Sequence, residues 1–86
     1  MDSLSVSATS LYSVEEFEEA LVKATLKDVC EALVERGYNP TSQLVGYIMS
    51  GDPGYISSHK DARNKITSID RSKLIEVLLK EYVNKL

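Results

Sequence analysis

One histidine and two aspartates are the residues of this chain best suited to acid–base chemistry. They are His59, Asp52 and Asp61, which lie in one stretch rich in glycine and proline. A catalytic histidine works together with an orienting carboxylate and an activated nucleophile or a bound metal. The stretch offers carboxylates but neither an activated nucleophile nor a set of metal ligands. The enzymatic interpretation is therefore weak, and His59 is better interpreted as a surface or capping residue.

The single cysteine, Cys30, is expected to be a buried and unreactive thiol. It lies in a helical pattern with no basic neighbour, the feature that activates cysteines. One cysteine forms no internal disulfide, and one cysteine with one histidine makes a poor zinc site. The sequence thus predicts no metal and no cofactor. The glycines near Asp52 do not form a phosphate-binding loop, because the GxxxxGK[ST] pattern and a preceding strand are missing.

Hydroxyl side chains are concentrated in residues 1–12, which are rich in serine and poor in charge. This composition predicts a flexible tail. One interpretation is a solubilising tail with no further role. The other is a phosphorylation segment, in which each phosphate adds about −1.5 to −2 charges, and the acidic cluster Glu15–Glu19 would favour release of a phosphorylated tail. The candidate phosphoacceptors are Thr9, Ser7, Ser10, Ser5 and Ser3.

The rest of the chain, residues 13–86, is predicted to be a single helical domain. Ser13 and Glu16 form a capping box for a first helix from Val14 to about Arg36, which Gly37 stops. Its apolar residues recur at helical spacing and predict a buried stripe. The stripe consists of Val22, Leu26, Val29 and Leu33, widened by Phe17, Leu21, Ala24 and Cys30.

Two short helices are predicted in the centre of the chain. Asn39 and Pro40 open the first, and Gly51 ends it. Its predicted buried face is Leu44, Val45, Ile48 and Met49. Gly46 in its middle suggests the close approach of another helix, with chance as the alternative. After a turn at Asp52-Pro53-Gly54, where Tyr55 and Ile56 are candidate core anchors, the second short helix is predicted over 58–66, with Ala62 and Ile66 facing inward.

A last helix is predicted from Arg71 to about Asn84, with Asp70 as its cap. One broad apolar face is expected on it, formed by Leu74, Ile75, Leu78, Leu79, Tyr82 and Val83. The predicted fold is an all-α bundle of about four helices, in which two longer terminal helices flank two short central ones.

The size and charge of the chain favour a dimer. A domain of 86 residues buries a small share of its surface, and disulfides and metals are excluded as supports. Residues 1–37 carry eight acids against three bases, and residues 38–86 carry five acids against seven bases. Two copies could pair head against tail, although a solvated surface explains the asymmetry equally well.

The basic residues of the second half permit two interpretations. They are Lys60, Arg63, Lys65, Arg71 and Lys73. Together they could receive a phosphorylated or acidic segment, or form an ordinary hydrophilic surface. His59 and Arg63 stand four residues apart and are expected to share an exposed face.

Several short motifs resemble the IreB family of small bacterial regulatory phosphoproteins. GYNP begins at Gly37, VGY at Val45, SGDP at Ser50 and DARN at Asp61, in the order and spacing of that family. Two positions depart from its pattern: Gly54, where alanine is usual, and Ser57, where proline is frequent. The resemblance covers about a third of the chain closely and the two flanking helices more loosely.

The resemblance implies a cytoplasmic, non-enzymatic regulator that forms a homodimer. It implies a membrane-bound serine/threonine kinase and a cognate phosphatase as partners, in a circuit that controls envelope stress and resistance to cell-wall antibiotics. The family's phosphoacceptors lie in its N-terminal tail, which makes Thr9 the first candidate by position. The candidate contacts with an unknown downstream protein are Asn39, Gln43, Asp52, His59, Asp61, Arg63 and Asn64.

A small nucleic-acid-binding protein is the alternative from a different class. Two short helices around a glycine turn are similar to a helix-turn-helix, and Lys60, Arg63 and Lys65 could meet phosphates. The acidic balance of the chain argues against it. No apolar run is long enough for a spanning helix and no signal peptide is evident, so we expect a cytoplasmic protein without membrane insertion.

Overall fold

The computed structural model describes residues 13–86, in which every regular element is helical. Its four α-helices are α1 (Val14–Glu35), α2 (Pro40–Ser50), α3 (Ala62–Thr67) and α4 (Arg71–Asn84). Two single-turn 3-10 helices, Pro53–Tyr55 and His59–Asp61, lie between α2 and α3. Over the described residues, the predicted all-helical architecture is confirmed. The predicted tail of residues 1–12 lies outside them.

Local capping signals fix both ends of α1 as the sequence predicts. Ser13 Oγ accepts a hydrogen bond from the Glu16 amide at 3.0 Å, and Glu16 Oε1 accepts one from the Ser13 amide at 3.1 Å. At the other end Gly37 has a φ of +82°. The Tyr38 amide then reaches back to the Leu33 carbonyl at 2.9 Å, which completes a Schellman stop.

The core lies between α1 and the helices that pack across it. The four residues predicted for the α1 stripe are all buried. They contact side chains from α2, α3, α4 and the turn at Ile56, so that one hydrophobic cluster holds every helix in place. Beyond the stripe, the cluster contains Ala32, Leu44, Tyr47, Ile56, Ala62, Ile66, Leu74 and Val77.

The buried face of α2 differs from the predicted one. Leu44 is buried, but Val45 is 53% and Met49 79% exposed, whereas the unpredicted Tyr47 is 5% exposed. The helical spacing of apolar residues fits either buried face, the one with Val45 and Met49 or the one with Tyr47, because the helix is apolar on most of its circumference. The phase is set by Tyr47, whose ring enters the core next to Leu44 and turns Val45 and Met49 towards solvent.

The close approach predicted at Gly46 comes from a side chain and not from another helix. A Cβ at position 46 would lie 2.3 Å from Tyr55 Cδ1 and 2.9 Å from Tyr55 Cγ. The Tyr55 ring therefore rests directly on the bare backbone of α2. Tyr55 itself is 49% exposed, so it covers the helix without entering the core, in contrast to the fully buried Ile56.

We expect Gly46→Ala to be stabilising only when Tyr55 is absent. Alanine gains about 1 kcal/mol over glycine in a helix, but in the native protein its methyl group displaces the Tyr55 ring. In a Tyr55→Ala background the full gain should appear, and in the wild-type background it should be reduced or reversed. A double-mutant cycle by urea unfolding measures the difference. Equal effects in the two backgrounds would contradict the contact.

The predicted helix over residues 58–66 is interrupted at its start. Lys60 and Asp61 adopt left-handed conformations, with φ of +50° and +64°. Two such residues in succession cannot continue a right-handed helix. The chain therefore makes the 3-10 turn His59–Asp61 before α3 begins. Ala62 and Ile66 are fully buried, as predicted.

The predicted broad face of α4 divides into two faces. Leu74 and the unpredicted Val77 are buried, whereas the other apolar residues of the helix are exposed. Those at spacing i, i+3, i+4 and i+7 form an outward row that we call the α4 stripe: Ile75, Leu78, Leu79 and Tyr82. Asp70 occupies the predicted N-cap position, but its side chain makes no capping hydrogen bond.

Candidate functional site

A carboxylate at the end of α1 binds the loop that precedes α3. Glu35 Oε1 lies 2.6 Å from His59 Nε2, and Glu35 Oε2 lies 3.0 Å from Lys60 Nζ. One carboxylate thus engages two neighbouring side chains, the second of which has left-handed backbone geometry. Hydrogen bonds from His59 and then from Lys60 hold the pKa of Glu35 below its ordinary value. The prediction of candidate contacts missed Glu35, since nothing in the sequence pairs residues this far apart.

The other candidate residues of this loop make contacts that shape it. Asn64 Nδ2 donates to Asp61 Oδ1 at 2.8 Å, within the first turn of α3. Arg63 Nε donates to the carbonyl of Ile56 at 2.9 Å. His59 turns to α1 and Arg63 to Ile56, so the expected shared face of His59 and Arg63 is not formed. The four candidates from His59 to Asn64 do lie on one short loop and helix start.

The candidates on α2 and the following turn have local structural roles. Asn39 Oδ1 accepts from the Ser42 amide at 3.1 Å and caps α2. Asp52 Oδ1 accepts from the Gly54 amide at 2.8 Å and closes the turn. Gln43 is half-buried beside them. Within residues 13–86, no side-chain hydrogen bond joins these three residues to the candidates of the His59 loop.

Three of the five residues of the predicted basic patch pair with carboxylates, and the two arginines donate to backbone carbonyls. Lys65 Nζ lies 3.8 Å from Asp28, and Lys73 Nζ lies 3.6 Å from Glu76. Lys60 contacts Glu35, as described above, and Arg71 Nη1 donates to the Ile48 carbonyl at 2.8 Å. Each of the five basic residues therefore already has an acidic or carbonyl partner. This arrangement favours the interpretation as an ordinary hydrophilic surface.

Ion pairs hold α4 against the first half of α1. Lys80 Nζ lies 2.8 Å from Glu19, and Lys23 pairs with Glu81. Hydrogen bonds from these lysines lower the pKa of Glu19 and of Glu81. Together with the buried Leu74 and Val77, these pairs hold α4 on α1, and the side chains of the α4 stripe remain exposed.

The lowered pKa values of Glu19, Glu35 and Glu81 predict a loss of stability in acid. A carboxyl group whose pKa is lowered in the folded state stabilises the fold above its unfolded-state pKa, about 4.3 for glutamate. The contribution disappears as the pH falls through the lower folded-state pKa. We expect the unfolding free energy to fall below about pH 4.5, and less steeply in Glu35→Gln. Glu31→Gln, on the same helix, is the control, and an identical slope in both variants would contradict the role of Glu35.

The described residues offer little material for other chemistry. Cys30 is partly buried, in contrast to the predicted burial, and this desolvation and secondarily the nearby Glu31 carboxylate raise the pKa of its thiol. Residues 13–86 contain no group of three potential metal ligands. None of the helices in this part of the chain is both long and apolar enough to cross a bilayer.

The spacing of α2 and α3 does not match a helix-turn-helix. That motif joins its helices by a turn of about three to four residues, whereas residues 51–61 separate α2 from α3 here. Lys60 and Lys65, expected to meet phosphates, contact carboxylates instead. The alternative of a nucleic-acid-binding protein gains no support from this geometry.

The most unusual feature of the described surface is exposed apolar area. One part of it is the α4 stripe. A second part, which we call the α2 patch, consists of Val45, Met49 and Tyr55. Such patches mark interaction sites or ligand-binding grooves. The fold and its surface therefore define a small helical protein whose exposed apolar patches are candidate contact surfaces.

A family comparison agrees with this class. The model of the family described as IreB regulatory phosphoprotein matches residues 7–84 of the chain. This match covers all four helices and also residues 7–12, beyond the motifs that carried the resemblance in sequence. The chain belongs to the IreB family of regulatory phosphoproteins.

Proposed function

We propose that this protein is a non-enzymatic regulator, switched by a bacterial serine/threonine kinase and its cognate phosphatase. It would act in the cytoplasm through protein–protein contacts and modulate envelope stress responses or resistance to cell-wall antibiotics. The observation that carries the proposal is the family match over residues 7–84, since that family consists of regulatory phosphoproteins. The kinase, the phosphatase and the regulated envelope processes are proposed because the family resemblance implies them.

We rank the candidate phosphoacceptors by whether they lie inside the residues that the family model matches. Thr9, Ser7 and Ser10 fall inside the matched range, whereas Ser3 and Ser5 precede it. We propose Thr9 as the principal acceptor, with Ser7 and Ser10 next. All five belong to the proposed tail of residues 1–12, which joins the helical domain of residues 13–86 directly at the N-cap of α1.

Phosphorylation of the intact chain tests this proposal. The full-length protein is incubated with the catalytic domain of the serine/threonine kinase of its host and Mg-ATP, and the phosphate is located by tandem mass spectrometry. Thr9→Val is expected to remove most of the incorporated phosphate, and Ser3→Ala to leave it unchanged. An unmodified wild-type tail, or full incorporation in a Thr9→Val/Ser7→Ala/Ser10→Ala variant, would refute the assignment.

We further propose that the regulator is a homodimer joined through the α4 stripe. Two observations support this contact. The stripe has the i, i+3, i+4, i+7 spacing with which one helix packs on another, and its four side chains are exposed while Leu74 and Val77 of the same helix are buried in the core. A second copy that presents the same stripe would bury both by a two-fold arrangement, which is the commonest symmetry of small oligomers.

A further inference from the structure

The α2 patch is a continuous apolar surface. Val45 and Met49 are four residues apart on α2, so their side chains are neighbours on one side of the helix. The Tyr55 ring lies on Gly46, which is three residues from Met49 and therefore its neighbour on the helix surface. Each of the three side chains is about half exposed or more. Solvent therefore meets an aromatic ring, a thioether and a branched aliphatic group side by side.

Helix α2, which carries Val45 and Met49, contains no charged residue, and the charged side chains of Asp52 and Arg71 lie at its C-terminal end. Residues 37–51 include no Asp, Glu, Lys, Arg or His, although 27% of the chain is charged. The nearest charged residues in sequence are Arg36 and Asp52, at either end of this stretch. Centres of protein–protein interfaces are depleted of charge and enriched in aromatic residues and methionine. The composition of the α2 patch is that of an interface centre.

The scaffold under the α2 patch is fixed at both ends. The Asn39 side chain caps the start of α2, and Gly51, with a φ of +76°, caps its end. Arg71 from α4 holds the carbonyl of Ile48 in the last turn. A surface that is ordered before binding loses little entropy on association. The unbranched Met49 side chain can still adjust to the shape of a ligand.

The size of the α2 patch and the position of the proposed dimer contact argue against a second copy as its occupant. Three side chains offer roughly a few hundred Å², which suits a short segment, and in the proposed dimer the second copy lies on the α4 stripe. Because none of the three side chains is charged and α2 has no charged residue, an acidic or basic segment would lose more hydration here than an apolar one. We propose that the α2 patch binds a short, uncharged apolar segment of a different protein. This inference rests on the proposed function, for which it names the chemistry of the downstream contact.

Selection from a random dodecapeptide display library tests the inference without a known partner. The full-length protein is the target, and the Met49→Lys variant is used for counter-selection. Because Met49 is highly exposed, this variant is expected to fold, which its urea midpoint verifies. Enriched peptides are synthesised and their affinities measured on the wild type, Met49→Lys, Val45→Lys and a control variant, Leu79→Lys on the α4 stripe.

We expect enriched peptides with an apolar, uncharged centre. Met49→Lys and Val45→Lys should weaken their binding by about tenfold or more, and Leu79→Lys by about twofold or less. Charged consensus peptides, equal binding to all four proteins, or no enrichment would overturn the inference. A lower solution mass of Met49→Lys would identify a second copy as the occupant and would also overturn it.

The same variants separate this inference from the proposed function. Met49→Lys should be phosphorylated on its tail as fully as the wild type, because the substitution is on α2 and the acceptors precede α1. If the wild-type protein binds the peptides but the kinase leaves its tail unmodified, the kinase switch is refuted and the α2 patch is retained. Normal phosphorylation without selective peptide binding would retain the switch and refute the patch.

Discussion

Ile56→Ala is expected to lower the free energy of unfolding by roughly 2–5 kcal/mol. The Ile56 side chain is fully buried between the two 3-10 turns. Truncation removes apolar contacts and leaves a cavity, which a core built from short elements can close only in part. Since small domains have total stabilities of only about 5–15 kcal/mol, the variant should be close to unfolding. Urea denaturation with the midpoint and slope fitted together measures the loss.

The backbone contact at Ile56 makes the substitution informative. The carbonyl of Ile56 accepts the hydrogen bond from Arg63 Nε, and this group is retained in alanine. The expected loss therefore reports side-chain packing alone. Val45→Ala is the matched control, because Val45 is an aliphatic residue exposed on α2, and its effect should stay within about 0.5 kcal/mol. Similar losses in the two variants would mean that Ile56 is not a core anchor.

The features that the sequence predicted correctly are those decided by neighbouring residues. The capping box at Ser13, the proline start of α2 and the left-handed stops at Gly37 and Gly51 each depend on a few adjacent positions. The α1 stripe was predictable because a helix of 22 residues repeats its apolar pattern over several turns. One choice of buried face on α1 then fits the apolar pattern clearly better than any other.

The features that the sequence did not predict are decided by tertiary contacts. On α2 the choice between Tyr47 and Met49 as core residue depends on what lies across the helix, including the Tyr55 ring on Gly46. The left-handed geometry of Lys60 has no signal in residue type, and that of Asp61 has only a weak one, because aspartate adopts this conformation occasionally. Glu35 contacts this loop over 24 residues of sequence, beyond the reach of any local pattern.

The candidate site shows the same division. Residue types alone indicated where polar side chains gather, and His59, Asp61, Arg63 and Asn64 do lie together. Their hydrogen bonds are mostly made within the protein, and their role as contact residues stays a prediction. The surfaces proposed above consist instead of exposed apolar residues, which can be identified only when the buried apolar residues are known.

Leu79→Lys is expected to convert the proposed dimer into a monomer. Leu79 is 57% exposed in the single chain and lies in the middle of the α4 stripe. In a two-fold contact each lysine would be placed in an apolar interface without a partner, and the charge would have to remain hydrated. A loss of about 2 kcal/mol or more at a central interface residue weakens the dimer at least about thirtyfold. Light scattering over a dilution series should then give the mass of one chain for the variant and of two for the wild type.

Phe17→Lys is the matched comparison, since Phe17 is an exposed apolar residue of α1 at 69% exposure. If the α4 stripe alone forms the contact, this variant keeps the mass of two chains. If both variants dissociate, the interface extends over α1 as well, in agreement with the two broad apolar faces predicted from the sequence. A wild-type mass of one chain at every concentration would refute the dimer. The α4 stripe would then be available, like the α2 patch, for a different protein, and regulation would operate through a monomer with two separate docking surfaces.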